Sequence, residues 1–178
     1  MTDVSCIQLH QPTAPIVSHD IDRKSFLGLA ATALAGAALG PLWRPAHAAA
    51  ETLRLAAPQR AWDKIEFSYQ DGAQSFPGLA VRLPEAAGGG LCAVCSICPH
   101  MGCLFRYETD YEDVGSIIGL KLSHPVFHCN CHDSTYDPTR IGTVLSGPSP
   151  RGPWLFTVHE EAADMIVTGI EAGAGEIK

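Results

Sequence analysis

The sequence predicts an all-β fold, an antiparallel β sandwich with two cysteine- and histidine-bearing loops at one end, preceded by an N-terminal hydrophobic segment. Three observations predict it. Apolar residues alternate with polar ones in short runs after residue 51; Gly- and Pro-rich turns separate those runs; and no later stretch shows a helical period. At 178 residues the chain has room for one domain and a short appendage.

Residues 1–19 are polar, carry two prolines and show no periodicity, so they read as a disordered lead in which Cys6 is a bystander. Residues 20–50 differ sharply. The basic pair Arg23 and Lys24, the bulky Phe26 and Leu27, and an Ala/Gly-rich apolar run ending near Leu42 have the layout of an export signal. The order R-K-S-F-L resembles a twin-arginine signal with Lys24 in place of the second arginine, a route used by proteins that fold around a cofactor before export. Phe26 to Leu42 lies at the short end of the roughly 17 to 25 residues that span a bilayer. Ala46-His47-Ala48 has the form of a cleavage site, yet an uncleaved anchor followed by an Ala-rich hinge would look much the same. Residues 51–178 are then the folded domain.

In that domain Ile65, Phe67 and Tyr69 alternate with polar residues, as do Leu79, Val81 and Leu83. Further strands are expected at 91–97, 116–122, 125–129, 154–159 and 164–170. Turns are expected at Gln70-Asp71-Gly72 and at Gly88-Gly89-Gly90. The net charge of -7, with only 12 Lys and Arg, argues against a nucleic-acid partner.

Four of the seven cysteines fall in SICPHMGCLF (96–105) and HCNCHDSTYD (128–137). Cys98 and His100 are one residue apart, and Cys129 and His132 are two apart. Two thiolates and two imidazoles suit either tetrahedral zinc or a 2Fe-2S cluster with cysteines on one iron and histidines on the other. Cys92, Cys95 and Cys98 have the spacing of a cubane ferredoxin, but Cys103 follows at the wrong interval and there is no second run. Cys92 and Cys95 read as small buried residues on a strand.

C-P-H-M-G-C followed by C-N-C-H-D-S-T-Y-D resembles the paired cluster-binding boxes of Rieske iron-sulfur proteins, and Gly147-Pro148-Ser149-Pro150 resembles the proline loop of members serving cytochrome bc-type quinol oxidoreductases. The resemblance covers roughly residues 60–170 and implies a Rieske-type sandwich with an inserted cluster-binding subdomain. It implies that Cys98 and Cys129 bind the inner iron of one 2Fe-2S cluster, that His100 and His132 bind the exposed iron, and that Cys103 and Cys131 form a disulfide. It implies a hydroxyl of Ser134 on a bridging sulfide and one of Tyr136 on the Cys98 sulfur, with Met101, Gly147, Pro148 and Pro150 around the centre. His132 would take an electron and a proton together from a hydroquinone.

Two ferric ions, two sulfides and two thiolates sum to zero with neutral imidazoles, against minus two for four thiolates, so reduction is easier and Rieske potentials run at about -150 to +300 mV. With Ser134 and Tyr136 present, a value in the upper part of that range is expected.

Within this class the resemblance implies the iron-sulfur subunit of a bc-type complex, with cytochrome b and cytochrome c type subunits and quinol as partners, on the periplasmic side of the cell membrane. The alternative is the small subunit of an arsenite-oxidase-like enzyme with a molybdopterin catalytic subunit, because IEFSYQDGAQSFPGLAVRLPEA and His-Met-Gly look similar to that type. A structural zinc module would leave Ser134, Tyr136 and the proline loop without a role. Rieske oxygenases lack the disulfide pair and carry a second iron domain for which this chain has no length, and export argues against an oxygenase ferredoxin.

Two features depart from the family pattern. Residues 101–128 separate the boxes widely and carry Glu108, Asp110, Glu112 and Asp113, then SIIGLKL. They read as a surface hairpin with solvated charges, or as a docking patch for a basic electron acceptor. Asp133 stands where a small glycine is usual after the second histidine, and its carboxylate is expected to favour positive charge there and to crowd a quinone.

Overall fold

The computed structural model describes residues 52–177. The expectations for residues 1–50, including the signal, the anchor and Cys6, lie outside the described residues. The described residues form ten strands, Leu53–Ala56 (β1), Lys64–Asp71 (β2), Gln74–Arg82 (β3), Leu91–Cys95 (β4), Arg106–Glu108 (β5), Val126–Cys129 (β6), Ser134–Asp137 (β7), Thr143–Ser146 (β8), Phe156–Glu161 (β9) and Asp164–Ile170 (β10), of which β2, β3, β4, β6, β9 and β10 lie where alternation predicts them. They form three antiparallel sheets in the orders β1-β10-β9, β2-β3-β4 and β5-β6-β7-β8.

The β2–β3 hairpin turns at Gly72, whose φ of 61° only glycine adopts without strain. Its register runs from Lys64 opposite Val81 to Asp71 opposite Gln74. Backbone bonds then tie this sheet to the β1-β10-β9 sheet, with Cys95 N donating to Trp154 O at 2.8 Å.

The middle sheet has a core on each face. Side chains on a strand alternate between faces, and β4 is buried at all five positions because both of its faces are covered. Leu91, Ala93 and Cys95 join Ala80, Tyr69, Phe76, Trp154, Phe156, Met165 and Val167 on one side. Cys92 and Val94 join Leu79, Val81, Phe105, Tyr107, Phe127, Tyr136, Cys98 and Cys129 on the other. Cys92 and Cys95 are thus buried strand residues, as the sequence reading held.

One expectation fails. The stretch between the boxes pairs β5 with β6 antiparallel, but 116–122 is not a strand: the connection carries a helix, Tyr111–Ile118 (α1). The Asp110 side chain caps its first turn by accepting from Asp113 N, and Gly119 ends it in the left-handed region at φ 72°. Val114 and Gly115 are buried. A Cβ on Gly115 would lie 2.5 Å from Leu120 O, so the chain folds back closely after the helix. Caps and burial at these few positions overrode the β-branched propensity of Val114, Ile117 and Ile118.

Candidate metal centre

The two boxes fold into two similar turns. In the first, Gly102 N donates to Cys98 O at 2.9 Å; in the second, Asp133 N donates to Cys129 O at 2.9 Å. Both turns end in a left-handed residue, Gly102 at φ 75° and Asp133 at φ 58°. Cys103 and Cys131 join the turns in a disulfide with Cα atoms 6.6 Å apart. The pairing implied by the resemblance is therefore present.

The four donor side chains divide by depth. Cys98 and Cys129 are buried at the end of the second core. His132 is exposed and His100 half-buried, with their rings edge to face at 4.8 Å between centroids. The Cys129 sulfur also lies within 4.8 Å of the Cys103 and Cys131 sulfurs, but those two are consumed by the disulfide and leave no metal triad.

Burial pushes the Cys129 thiol up; the N–H groups of Cys131 and His132 work against that rise, and neighbouring Cys98 adds to it. Two adjacent buried thiols ionise when a cation takes the charge, so this donor set fits a metal centre that is sulfur-bound inside and imidazole-bound outside.

Several residues of the second box and the 147–150 loop pack around the buried cysteines or one another. Tyr136 OH lies 3.1 Å from Cys98 Sγ. Burial, with the Cys98 contact next, drives the phenol well above its ordinary value, so it remains a donor. Ser134 is fully buried, and its Oγ accepts from Ser149 N at 3.2 Å. A Cβ on Gly147 would lie 2.4 Å from Ser134 Cα, so the 147–150 loop packs directly on the second box and glycine is required there. Pro148 and Pro150 are exposed on that loop. Met101 is exposed beside His100, as is Leu104 further along.

Asp133 has a neighbour beyond the second box. Its carboxylate faces His128, with Oδ1 3.6 Å from Nε2, a contact the sequence did not suggest.

Several supporting groups escaped the sequence reading. Buried Asp137 accepts from Thr139 N at 2.9 Å and Thr139 Oγ1 at 2.7 Å, and from Arg140 Nε at 2.9 Å. His124 Nε2 lies 3.0 Å from the same carboxylate, and the His124 ring stacks on Trp62 at 5.6 Å. Burial opposes this charge, but the bonds from Thr139, Arg140 and His124 outweigh it and hold the carboxyl below its ordinary value. The C-terminal segment also reaches the site. Glu171 binds Arg151 Nη2 at 2.6 Å and Leu155 N at 3.2 Å. Ile177 sits against Gly102, where a Cβ would be 2.6 Å from its Cδ1. Asp137 held a cue, an Asp-Pro before Thr139, while the C-terminal segment held none.

Residues 68–159 match the Rieske 2Fe-2S domain family. A cytochrome b6-f complex iron-sulfur subunit of Chlorobaculum tepidum is 30% identical over 81 residues, which is 46% of this chain but only 36% of that protein's length. The crystal structure of the plasma membrane Rieske protein PetC3 of Synechocystis is 22% identical, with a TM-score of 0.41, covering 57% of this chain and 84% of that one. With the family matched over both boxes and the proline loop, this chain belongs to the Rieske 2Fe-2S domain family, and its role is that of a cluster-bearing iron-sulfur electron carrier.

Proposed function

We propose that Cys98 and Cys129 hold the inner iron and His100 and His132 the outer one, and that the chain is the iron-sulfur subunit of a bc-type quinol-oxidising complex. The observation that carries this reading is the convergence of two imidazoles, their ring centroids 4.8 Å apart, each one or two residues along the chain from a buried cysteine. Bound there, the cluster supplies one-electron transfer at a potential raised by its nitrogen ligands.

Each neighbouring residue has a task. Tyr136 donates its O–H to the Cys98 sulfur and Ser134 offers its hydroxyl toward the centre, both favouring extra negative charge there. Burial of the two cysteines excludes water from the inner side. The Cys103–Cys131 bond holds the turns together and so fixes the separation of the two histidines. His132, exposed, presents its remaining ring nitrogen to a hydroquinone hydroxyl and accepts the proton that leaves with the electron.

The bc-type assignment draws support from the cytochrome b6-f subunit among its relatives and from the loop at Gly147–Pro150. The partners would be cytochrome b and cytochrome c type subunits, with the cluster domain held at the outer face of the membrane by residues 20–50. Among the described residues no helix is long and apolar enough to cross a membrane.

Membranes carrying the native chain should oxidise added quinol, and His132→Ala should abolish this while the assembled complex persists. Copurification with a molybdopterin subunit, and quinol oxidation untouched by His132→Ala, would instead support the molybdenum-enzyme partner.

A further inference from the structure

The two box turns share a geometry but not a residue. At the position where each turn closes onto its first cysteine, the first has Gly102 and the second has Asp133, both left-handed. Glycine adopts that conformation freely, whereas a side chain there is disfavoured. Asp133 immediately follows His132, so any relaxation of its backbone would re-aim that ring.

Two contacts from outside the donor set converge on Asp133. Thr135 Oγ1 donates to Asp133 O at 3.2 Å. Since the hydroxyl proton is thereby used, the buried His128 ring must donate its Nδ1–H to Thr135 Oγ1, at 2.9 Å. The other nitrogen of the same ring lies 3.6 Å from Asp133 Oδ1, beyond hydrogen-bond distance. The Gly147 backbone also packs against Asp133 and Ser134, where a Cβ would come within 2.8 Å of Asp133 C.

We propose that His128, acting through Thr135, is a positioning residue that clamps the left-handed turn at Asp133 and so fixes the aim of His132. The proposal rests on the reading of His132 as a ligand. It assigns His128 a role no donor-set argument gives it: the clamp compensates for a side chain at a position where the first box has glycine.

The test is a coupled-variant cycle on the cluster-loaded full chain: His128→Phe, Asp133→Gly, and both together, with His128→Gln as the conservative variant that keeps a donor for Thr135. The readouts are the rate of cluster bleaching under mild denaturant and the imidazole nitrogen couplings in pulsed EPR of the reduced protein. His128→Phe should bleach roughly tenfold faster and broaden or shift one nitrogen coupling. His128→Gln should restore most of both, and the Phe variant placed in the Asp133→Gly background should match Asp133→Gly alone, because a glycine turn needs no clamp. Equal damage from His128→Phe with aspartate or glycine at 133, or no damage at all, overturns the proposal. Absence of nitrogen coupling from the unaltered chain would sink the ligand assignment instead, and the bleaching cycle would then decide the clamp separately. If His128→Phe fails to fold, Thr135→Val in the same two backgrounds breaks the same bond and carries the same expectations.

Discussion

The two faces of the β2-β3-β4 sheet make a useful contrast. One carries a core of aromatic and aliphatic side chains, with Phe156 meeting Phe67 at 4.9 Å and Tyr69 at 5.7 Å. The other is built around Phe105, Phe127 and Tyr107 but ends in Cys98, Cys129 and the Tyr136 hydroxyl. The first face needs only volume and apolarity, which many side chains supply. The second needs particular atoms at its end, and therefore relies on a disulfide, buried hydrogen bonds and left-handed turns to hold them. Stability concentrates on one face and chemistry at the edge of the other.

That contrast can be broken or sharpened by substitution. Phe156→Ala should cost about 3 to 5 kcal/mol in chemical denaturation by opening a cavity in the first core. The midpoint potential of the surviving folded protein should stay unchanged; a large shift would show that the two cores are not separable. Removing the disulfide with Cys103→Ser and Cys131→Ser frees a cross-link spanning a sequence separation of 28. The expected loss is roughly 3 to 4 kcal/mol, with the cluster released before the β1-β10-β9 sheet melts. Simultaneous loss of colour and far-UV circular dichroism would instead mean a single cooperative unit.

Asp137→Asn should cost about 2 kcal/mol by weakening the bonds from Thr139, Arg140 and His124. Because the folded-state pKa of Asp137 lies below its unfolded value, its contribution is complete above about pH 4 and fades as pH falls through the folded value. The Asn variant should therefore show a smaller loss of stability on acidification below about pH 4 than the native chain, as measured by denaturant titration. The smallest effect on folding should come from Tyr136→Phe, which removes the O–H bonded to Cys98. It should lower the midpoint potential by about 40 mV, equivalent to about 1 kcal/mol, and leave the protein folded. An unchanged potential would remove Tyr136 from the tuning of the site.

What the sequence revealed follows the same division. The long alternating strands on the first core were legible because burial on one face imposes a period of two. The paired boxes and the disulfide were legible because few functions gather two cysteines and a histidine twice. The short strands β5, β7 and β8 were not, since three or four residues carry too little periodicity and Ser134–Asp137 is hidden inside a ligand motif. The helix α1 was missed because its evidence lies in two capping residues and two buried positions, not in propensity. The contact of Asp133 with His128 was not legible because sequence spacing says nothing about which way a left-handed residue points its side chain.

The central claim is mixed sulfur and nitrogen ligation of a two-iron centre by Cys98, His100, Cys129 and His132. Iron and acid-labile sulfide analysis of the full chain, combined with pulsed EPR of its reduced form, tests this most directly. The account predicts two irons and two sulfides per chain with two imidazole nitrogen couplings, one of them lost in His132→Cys. A single metal per chain, or a two-iron centre without nitrogen coupling, would contradict it.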